Sequence, residues 1–247
     1  MLIAIEGVDG SGKETQTTRL FNRLKQDGYE AKKITFPDYD SPAAGALKMY
    51  LNGEFGRSPS DVNPYVASAF FAIDRFASWK KDWGRFLAQG GIVIADRYVM
   101  SNMIHQGAKI EDEREFDGFL SWLSELEFIK FGLPKPELVV FLDMSMSFRM
   151  EILDERERTN AKSHRSDIHE KDTDYLENVH QCARRIAESQ GWHKVSADVS
   201  GRLKTIDEIH QEIYDIVIRE ILQYNRDESV NNSKVNDCSA CRGDKEW

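Results

Sequence analysis

Residues 2–16 read LIAIEGVDGSGKETQ, and this stretch decides the fold. The first four residues are all apolar, which is typical of a strand buried inside a parallel sheet. Gly7 and Gly12, followed by Lys13, have the spacing of a phosphate-binding loop (P-loop), and apolar residues at helical spacing continue to Gly28. In the order strand, loop, helix, the loop N–H groups face an anion at the positive end of the helix. The stretch therefore predicts a nucleotide-phosphate site.

The P-loop also supplies the candidate ligands of a phosphoryl donor. Lys13 adds a mobile positive charge, but the next position, where the motif has Ser or Thr for Mg²⁺, holds Glu14. A carboxylate is a hard oxygen ligand, so we expect Glu14 to bind Mg²⁺ directly or through water. The predicted donor-binding residues of the loop are Gly7, Gly10, Ser11, Gly12, Lys13, Glu14 and Thr15.

Composition narrows the range of partners. The chain has 247 residues, 40% of them hydrophobic, which is enough for one domain with a core. Its formal charge of −9 argues against a general nucleic-acid binder, although a small anion in a local basic pocket stays compatible. We find no secretory signal and no apolar run of the ~20 residues that span a bilayer. The expectation is a cytoplasmic protein without nucleic-acid or membrane partners.

Apolar strand candidates alternate with long helical patterns along the chain. This alternation predicts an α/β fold in which helices cover both faces of a parallel sheet. Ligands of such sheets bind beyond the carboxyl ends of the strands. The strand candidates lie at 2–6, about 31–36, 92–96, 138–143 and 192–196.

Two segments depart from the packed pattern. Residues 155–172 carry many charges and few aliphatic side chains, which predicts a mobile lid. Its candidates for neutralising a triphosphate are Arg156, Arg158, Lys162 and Arg165, and the sequence does not single out one of them. A solvated charged surface is the alternative interpretation. Residues 226–247 are too polar to bury themselves and predict a disordered extension, so the domain is expected to span 1–225.

Two pairs of residues suggest acceptor recognition. Asp96 ends an apolar strand and Arg97 follows it, which in a P-loop protein favours Mg²⁺ and phosphate contacts over a plain salt bridge. Phe71 and Arg75 are four residues apart and share a helix face, where a ring and N–H donors can recognise a base. A core helix with a surface ion pair is the alternative for this second pair.

Taken together, these segments resemble the thymidylate kinase family, P-loop enzymes that transfer the γ-phosphoryl group of ATP to dTMP. The resemblance implies a P-loop NTP hydrolase-type fold with five parallel strands, helices on both faces and a lid. It also implies ATP and Mg²⁺ as donor and metal, and a homodimer. The matching stretches are IAIEGVDGSGK at 3–13, FPDY at 36–39, FFAIDR at 70–75, DRYVMSN at 96–102 and DIHEKDTDYLENV at 167–179.

The same resemblance implies roles for single residues. Phe71 would stack on thymine and Arg75 would bond its O4, while Asp9 would face the sugar 3′-hydroxyl. The implied acceptor-site residues are Asp9, Phe36, Tyr39, Phe71, Arg75, Arg97, Ser101, Asn102, His105 and Glu170. The implied catalytic residues are Lys13, Arg97, Asp9 and Arg158, and the implied metal ligands are Asp96, Glu14, Asp9 and Glu170.

His105 departs from the family pattern, in which a Tyr crowds the 2′ position of the sugar. This change leaves discrimination against ribonucleotides open. Two other functions also stay open: a kinase of the same fold for another nucleotide or a deoxynucleoside, and a nucleotide-binding regulator without turnover.

Overall fold

A computed structural model describes residues 1–159 and 173–240 of the chain. Five parallel strands form the central sheet in the order β2-β3-β1-β4-β5. All five predicted strands are confirmed to within about a residue. A short antiparallel pair, β6 and β7, was not predicted. The strands are β1 Leu2–Gly7, β2 Ala31–Thr35, β3 Ile92–Asp96, β4 Leu138–Asp143, β5 His193–Ser196, β6 Asp198–Val199 and β7 Arg202–Leu203.

Helices connect the strands and surround the sheet. Short 3₁₀ turns lie at Pro42–Ala44 and Pro59–Asp61, and π-helical segments lie at Trp79–Trp83 and Glu125–Lys130. The α-helices are α1 Lys13–Gln26, α2 Gly45–Leu51, α3 Pro64–Ser78, α4 Gly84–Ala88, α5 Val99–Gly107, α6 Glu113–Ser124, α7 Met146–Thr159, α8 Thr173–Ser189 and α9 Ile206–Ala240.

The sheet is buried on both faces, as predicted. Successive side chains of a strand point to opposite faces, so Leu2 and Ala4 of β1 enter one core while Ile3 and Ile5 enter the other. Helices α5, α6 and α8 contribute to the first core, and α1 and α9 contribute to the second. Because both faces of the sheet pack against apolar cores, the residues of β1 are almost all apolar and do not alternate with polar ones.

The parallel register brings four loops to one edge of the sheet. Ile5 pairs with Asp96 on one side and with Val140 on the other, and Thr35 pairs with Asp96. The segments that follow β1, β2, β3 and β4 therefore leave the sheet at the same level. Ligands of open parallel sheets bind in the crevice at this edge.

Two predicted segments are only partly covered. The predicted lid at 155–172 begins inside α7, and residues 160–172 lie outside the described residues. Helix α9 continues to Ala240, so 226–240 is helical where composition predicted disorder. The physical reason is that no Gly or Pro interrupts the chain over this range. The domain boundary at 225 stays a prediction.

None of the helices described in 1–159 and 173–240 is long and apolar enough to cross a membrane.

Candidate active site

The P-loop requires glycine at its first position. Gly7 has φ +154°, and a Cβ there would lie 2.7 Å from the Ser11 Oγ and 2.8 Å from the Leu142 carbonyl oxygen. Gly12 has φ +84° and directly precedes α1, although the space around it is open. Close packing restricts Gly7 and backbone conformation restricts Gly12, so the two glycines of the sequence motif serve different physical needs.

Lys13 lies under the loop as a buried cation. Its side chain is only 6% exposed, and the Nζ donates a hydrogen bond to the Val8 carbonyl oxygen at 2.8 Å. Burial and the nearby charge of Arg97 lower the pKa of Lys13 to about 7. An anion arriving at the loop would offset both effects, so Lys13 is poised to gain a full charge when phosphate binds.

The turn after β3 holds Arg97 in an uncommon backbone conformation. Arg97 has φ +66°, a region that non-glycine residues rarely adopt, and its N–H bonds the Ile5 carbonyl oxygen at 3.2 Å. Glu6, fully buried in β1, accepts hydrogen bonds from the Tyr98 N–H at 2.6 Å and from the Ser101 Oγ at 2.7 Å. Burial raises the pKa of Glu6. Glu6 thus fixes the position of Tyr98, just before α5, and of Ser101, in the first turn of α5.

Sequence reasoning missed Glu6. The available signal was a lone carboxylate in an otherwise apolar strand, directly before the first glycine of the loop. Such a residue is buried and must find partners, but the pattern does not show which partners it finds.

Arg97 joins several predicted site residues. Its Nη2 forms an ion pair with the Asp9 carboxylate, and its Nη1 lies 3.5 Å from the Ser101 Oγ and 3.3 Å from the His105 Nε2. Asp9 belongs to the P-loop, while Ser101 and His105 belong to α5. A guanidinium with this many polar neighbours at the edge of the sheet is suited to hold a phosphate group.

A cavity of about 330 Å³ opens beside Arg97 and the P-loop. Its volume falls within the range of sites for small ligands. Ten of the predicted site residues line it, together with Thr35, Pro37 and Leu51. These ten residues are Asp9, Glu14, Phe36, Tyr39, Phe71, Asp96, Arg97, Ser101, Asn102 and His105.

The wall of the cavity combines apolar and polar surface. Phe71 of α3 supplies a ring, and Asn102 of α5 is buried with its Nδ2 bonded to the Ser68 carbonyl oxygen at 3.1 Å. The segment after β2 is held by Asp74, whose carboxylate accepts the Asp38 N–H at 2.9 Å. A ring beside amide and hydroxyl groups fits a nucleoside whose base is flat and whose edge is polar.

Arg75 does not line this cavity. Its side chain is 1% exposed, and its Nε and Nη2 bond the two carboxylate oxygens of Glu127 at 2.7 and 2.5 Å. The outcome is an ion pair, as in the alternative interpretation, but a buried one. The predicted bond from Arg75 to thymine O4 has no support from this geometry, because the guanidinium is buried and bonded to Glu127. Glu127 lies 52 residues away, so no local pattern pointed to it.

Truncating Glu127 is expected to destabilise the protein strongly. Glu127→Ala leaves the buried Arg75 guanidinium uncompensated, which costs about 3–5 kcal/mol of unfolding free energy. Exchanging both partners, as Arg75→Met with Glu127→Met, removes the charge together with its counter-charge and should cost far less. Denaturant titration followed by tryptophan fluorescence measures both. A loss below about 1 kcal/mol in the single variant would contradict a strong dependence on this pair.

Three carboxylates of the cavity are candidates for a metal ion. Asp9, Glu14 and Asp96 all line it, and burial raises the pKa of Asp96. In the described part of the chain, no group of three or more His, Cys, Asp and Glu side chains is arranged to hold a metal alone. This donor set fits Mg²⁺, which usually takes one or two protein carboxylates and completes its shell with water and substrate phosphates.

The remaining predicted residues lie elsewhere or are not described. Ser11 is buried in the P-loop, while Thr15 is exposed on the first turn of α1. Arg156 and Arg158 belong to α7, and only their backbone is described. Glu170 lies outside the described residues.

The chain is similar to known proteins over most of its length. The sequence profile of the family described as Thymidylate kinase matches residues 5–213. Thymidylate kinase of Mycobacterium tuberculosis is 35% identical over 213 residues, covering 82% of this chain and 95% of the relative. Human thymidylate kinase is 32% identical over 146 residues, covering 59% and 62%. The structure of Candida albicans thymidylate kinase shares the fold, with a TM-score of 0.63 at 24% identity over 88% of this chain and 91% of that chain.

Proposed function

The chain belongs to the thymidylate kinase family, and from this premise we propose how the residues of the cavity and the P-loop carry out the family's reaction. The reaction is the phosphorylation of dTMP to dTDP, with ATP as the phosphoryl donor. The observation that supports the assignment most directly is the bridge from Arg97 to Asp9, because it joins the acceptor cavity to the P-loop.

The cavity binds dTMP with its phosphate toward the P-loop. Arg97 and Tyr39 hold the phosphate, Phe71 stacks on the base and Asn102 faces the base edge. Tyr39 lines the cavity and is 51% exposed, so its side chain is accessible to a bound ligand. Ring stacking and a guanidinium clamp together orient the acceptor oxygen for attack.

The P-loop binds the phosphates of ATP. Its backbone N–H groups and Lys13 surround the anion, and Lys13 lies between the donor and acceptor phosphates. The transfer is an in-line displacement in which the acceptor phosphate oxygen forms a bond to the γ-phosphorus while the bond to the bridging oxygen of ADP breaks. No side chain becomes covalently modified. The protein contributes positioning and positive charge, which dominate catalysis of phosphoryl transfer.

We further propose Mg²⁺ as the metal, with Glu14 and Asp96 as its candidate protein ligands and Asp9 beside them. When bound, Mg²⁺ neutralises charge on the donor phosphates. Without it, Glu14 would repel the triphosphate, since this carboxylate lines the same cavity. The carboxylate at 14 thus takes over the place of the usual hydroxyl.

Glu14→Ala is expected to raise the Mg²⁺ concentration needed for half-maximal activity about 5- to 20-fold, because one oxygen ligand is lost. Glu14→Ser should largely restore it. Magnesium titrations of turnover and of ATP binding check both variants, with Glu115→Ala, at an exposed position of α6, as the matched control. An unchanged titration in both Glu14 variants would rule out a metal role for this residue.

An acceptor panel tests the function itself. We expect ADP formation with dTMP to exceed that with dUMP, dCMP, UMP and thymidine. A preference for another acceptor would favour the related nucleotide or deoxynucleoside kinases. Tight ATP binding without acceptor-dependent ADP would favour a regulatory protein. UMP is informative because His105 lines the cavity and takes the place of the family Tyr that crowds the sugar 2′ position.

We also propose that the protein is a cytoplasmic homodimer, as the family resemblance implies. Val66 and Ile73 support an interface on α3, because they lie seven residues apart on one helix face and are about half exposed.

A further inference from the structure

Arg149 is a buried cation that none of the assignments above uses. It lies in the first turn of α7, directly after β4, and its side chain is fully buried. Its Nε donates to the Asp9 carbonyl oxygen at 2.9 Å, and its Nη1 lies 3.4 Å from the Met146 sulfur. Its Nη2 is buried and has no hydrogen-bond partner among the residues that the structure describes. A buried guanidinium nitrogen without a partner is unusual, since such groups are nearly always satisfied.

The charge of Arg149 also lacks a directly paired carboxylate in the described part of the chain. Within the described ranges it forms no salt bridge, whereas the other fully buried arginine, Arg75, has the carboxylate of Glu127. The carboxylates whose charges act on Arg149 are Asp9, Glu177 and Asp143. Asp9 is engaged by Arg97, and Asp143 is engaged by Arg184 and His180. Glu177 is exposed and accepts a hydrogen bond from the Gln181 Nε2. A buried cation without a close counter-charge is costly, which points to an anion supplied from outside the chain.

The position of Arg149 indicates which anion this is. Asp9 lies between two guanidinium groups: Arg97 binds its carboxylate and Arg149 binds its carbonyl oxygen. Arg97 lines the acceptor cavity. Arg149 contacts the P-loop from α7, the element that leads into the predicted lid. The site between them is where the donor and acceptor phosphates must meet.

We propose that Arg149 binds the terminal phosphate of ATP through its Nη2, as a fixed cation of α7 that lies against the P-loop and is separate from the lid arginines. This proposal rests on the proposed function and adds one donor-binding residue to it. In the ligand-free protein, the bond to the Asp9 carbonyl oxygen holds the guanidinium in place. The terminal phosphate then supplies the missing acceptor and counter-charge.

Measuring the binding of MgATP and MgADP in the absence of dTMP tests the assignment of Arg149 directly. Arg149→Met keeps the length of the side chain and removes its charge, and Arg149→Lys keeps the charge without the planar fork. We expect Arg149→Met to weaken MgATP binding about 10- to 100-fold, because a charge-assisted hydrogen bond is lost. MgADP binding should weaken less than about 3-fold, because ADP lacks the terminal phosphate. Arg149→Lys should fall between. Arg219→Met, at an exposed position of α9, is the matched control and should bind both nucleotides as the native protein does.

Thermal unfolding of the same variants separates ligand binding from a structural role. Ligand-free Arg149→Met should melt no lower than the native protein, because an unpaired buried charge has been removed, but its stabilisation by MgATP should shrink. Equal weakening of MgATP and MgADP would overturn the assignment to the terminal phosphate. Unchanged MgATP affinity, with or without a lower melting temperature, would overturn phosphate binding altogether. Neither result depends on dTMP, so failure of the acceptor assignment would be seen separately, in the acceptor panel.

Discussion

Lys13→Met is expected to lower kcat/KM for dTMP phosphorylation by at least about 10³-fold, the largest effect of any single change in the site. Lys13 is the cation inside the loop, and in the ligand-free protein it bonds only the Val8 carbonyl oxygen among the described contacts. Methionine fills the same space without charge, so the fold should survive while charge stabilisation is lost. Initial rates of ADP formation measure the loss, and circular dichroism checks the fold.

The pH dependence of binding provides the control. The pKa of Lys13 is about 7 in the free protein, and bound phosphate must raise it because the charged form is then paired. Between these two pKa values ATP binding takes up a proton, so MgATP affinity should fall about tenfold per pH unit as pH rises above 7. Lys13→Met should lack this dependence. A pH-independent affinity in the native protein would contradict the role of Lys13.

Arg97→Met is expected to raise KM for dTMP about 100-fold or more and to lower kcat, because the acceptor phosphate loses its guanidinium. MgATP affinity should change less than about 3-fold at pH 6.5, where Lys13 already carries most of its charge. The pH matters because Arg97 is one cause of the lowered pKa of Lys13. Steady-state kinetics with each substrate varied in turn separates the two sites.

Arg114→Met, at an exposed position of α6, is the matched control for Arg97 and should leave KM for dTMP unchanged. Arg97→Lys should recover only part of the affinity, because an ammonium group cannot reach Asp9 and the acceptor phosphate with the same planar fork. A KM for dTMP within about 3-fold of native in Arg97→Met would contradict the assignment of the acceptor phosphate.

A chain of contacts connects the strands to these two cations. Glu6 in β1 holds the Tyr98 N–H and the Ser101 hydroxyl, and the turn between β3 and α5 therefore presents Arg97 to Asp9. The strained φ of Arg97 is maintained by these fixed neighbours rather than by its own preference. Rigid strand ends thus hold the charged groups before substrates arrive, which is what electrostatic catalysis needs.

Local sequence patterns were sufficient to predict much of the fold and most of the residues that line the cavity. The strands and the order of strand, loop and helix depend on short-range periodicity and on glycines, and both are legible in the sequence. Because the loops after parallel strands meet at one edge, the residues that follow those strands were correctly grouped, including Asp9, Asp96 and Arg97. The family motifs added the residues of α3 and α5.

The sequence by itself determined which segments form the sheet, where phosphate is predicted to bind and which motifs meet around the cavity. Only the tertiary structure decided the partners of buried charges: Glu6 with Tyr98, Arg75 with Glu127, and Arg149 with Asp9. These partners are separated by 92, 52 and 140 residues along the chain. The physical reason is that burial obliges a polar group to find a partner, but three-dimensional packing selects which one, and no local spacing encodes that choice.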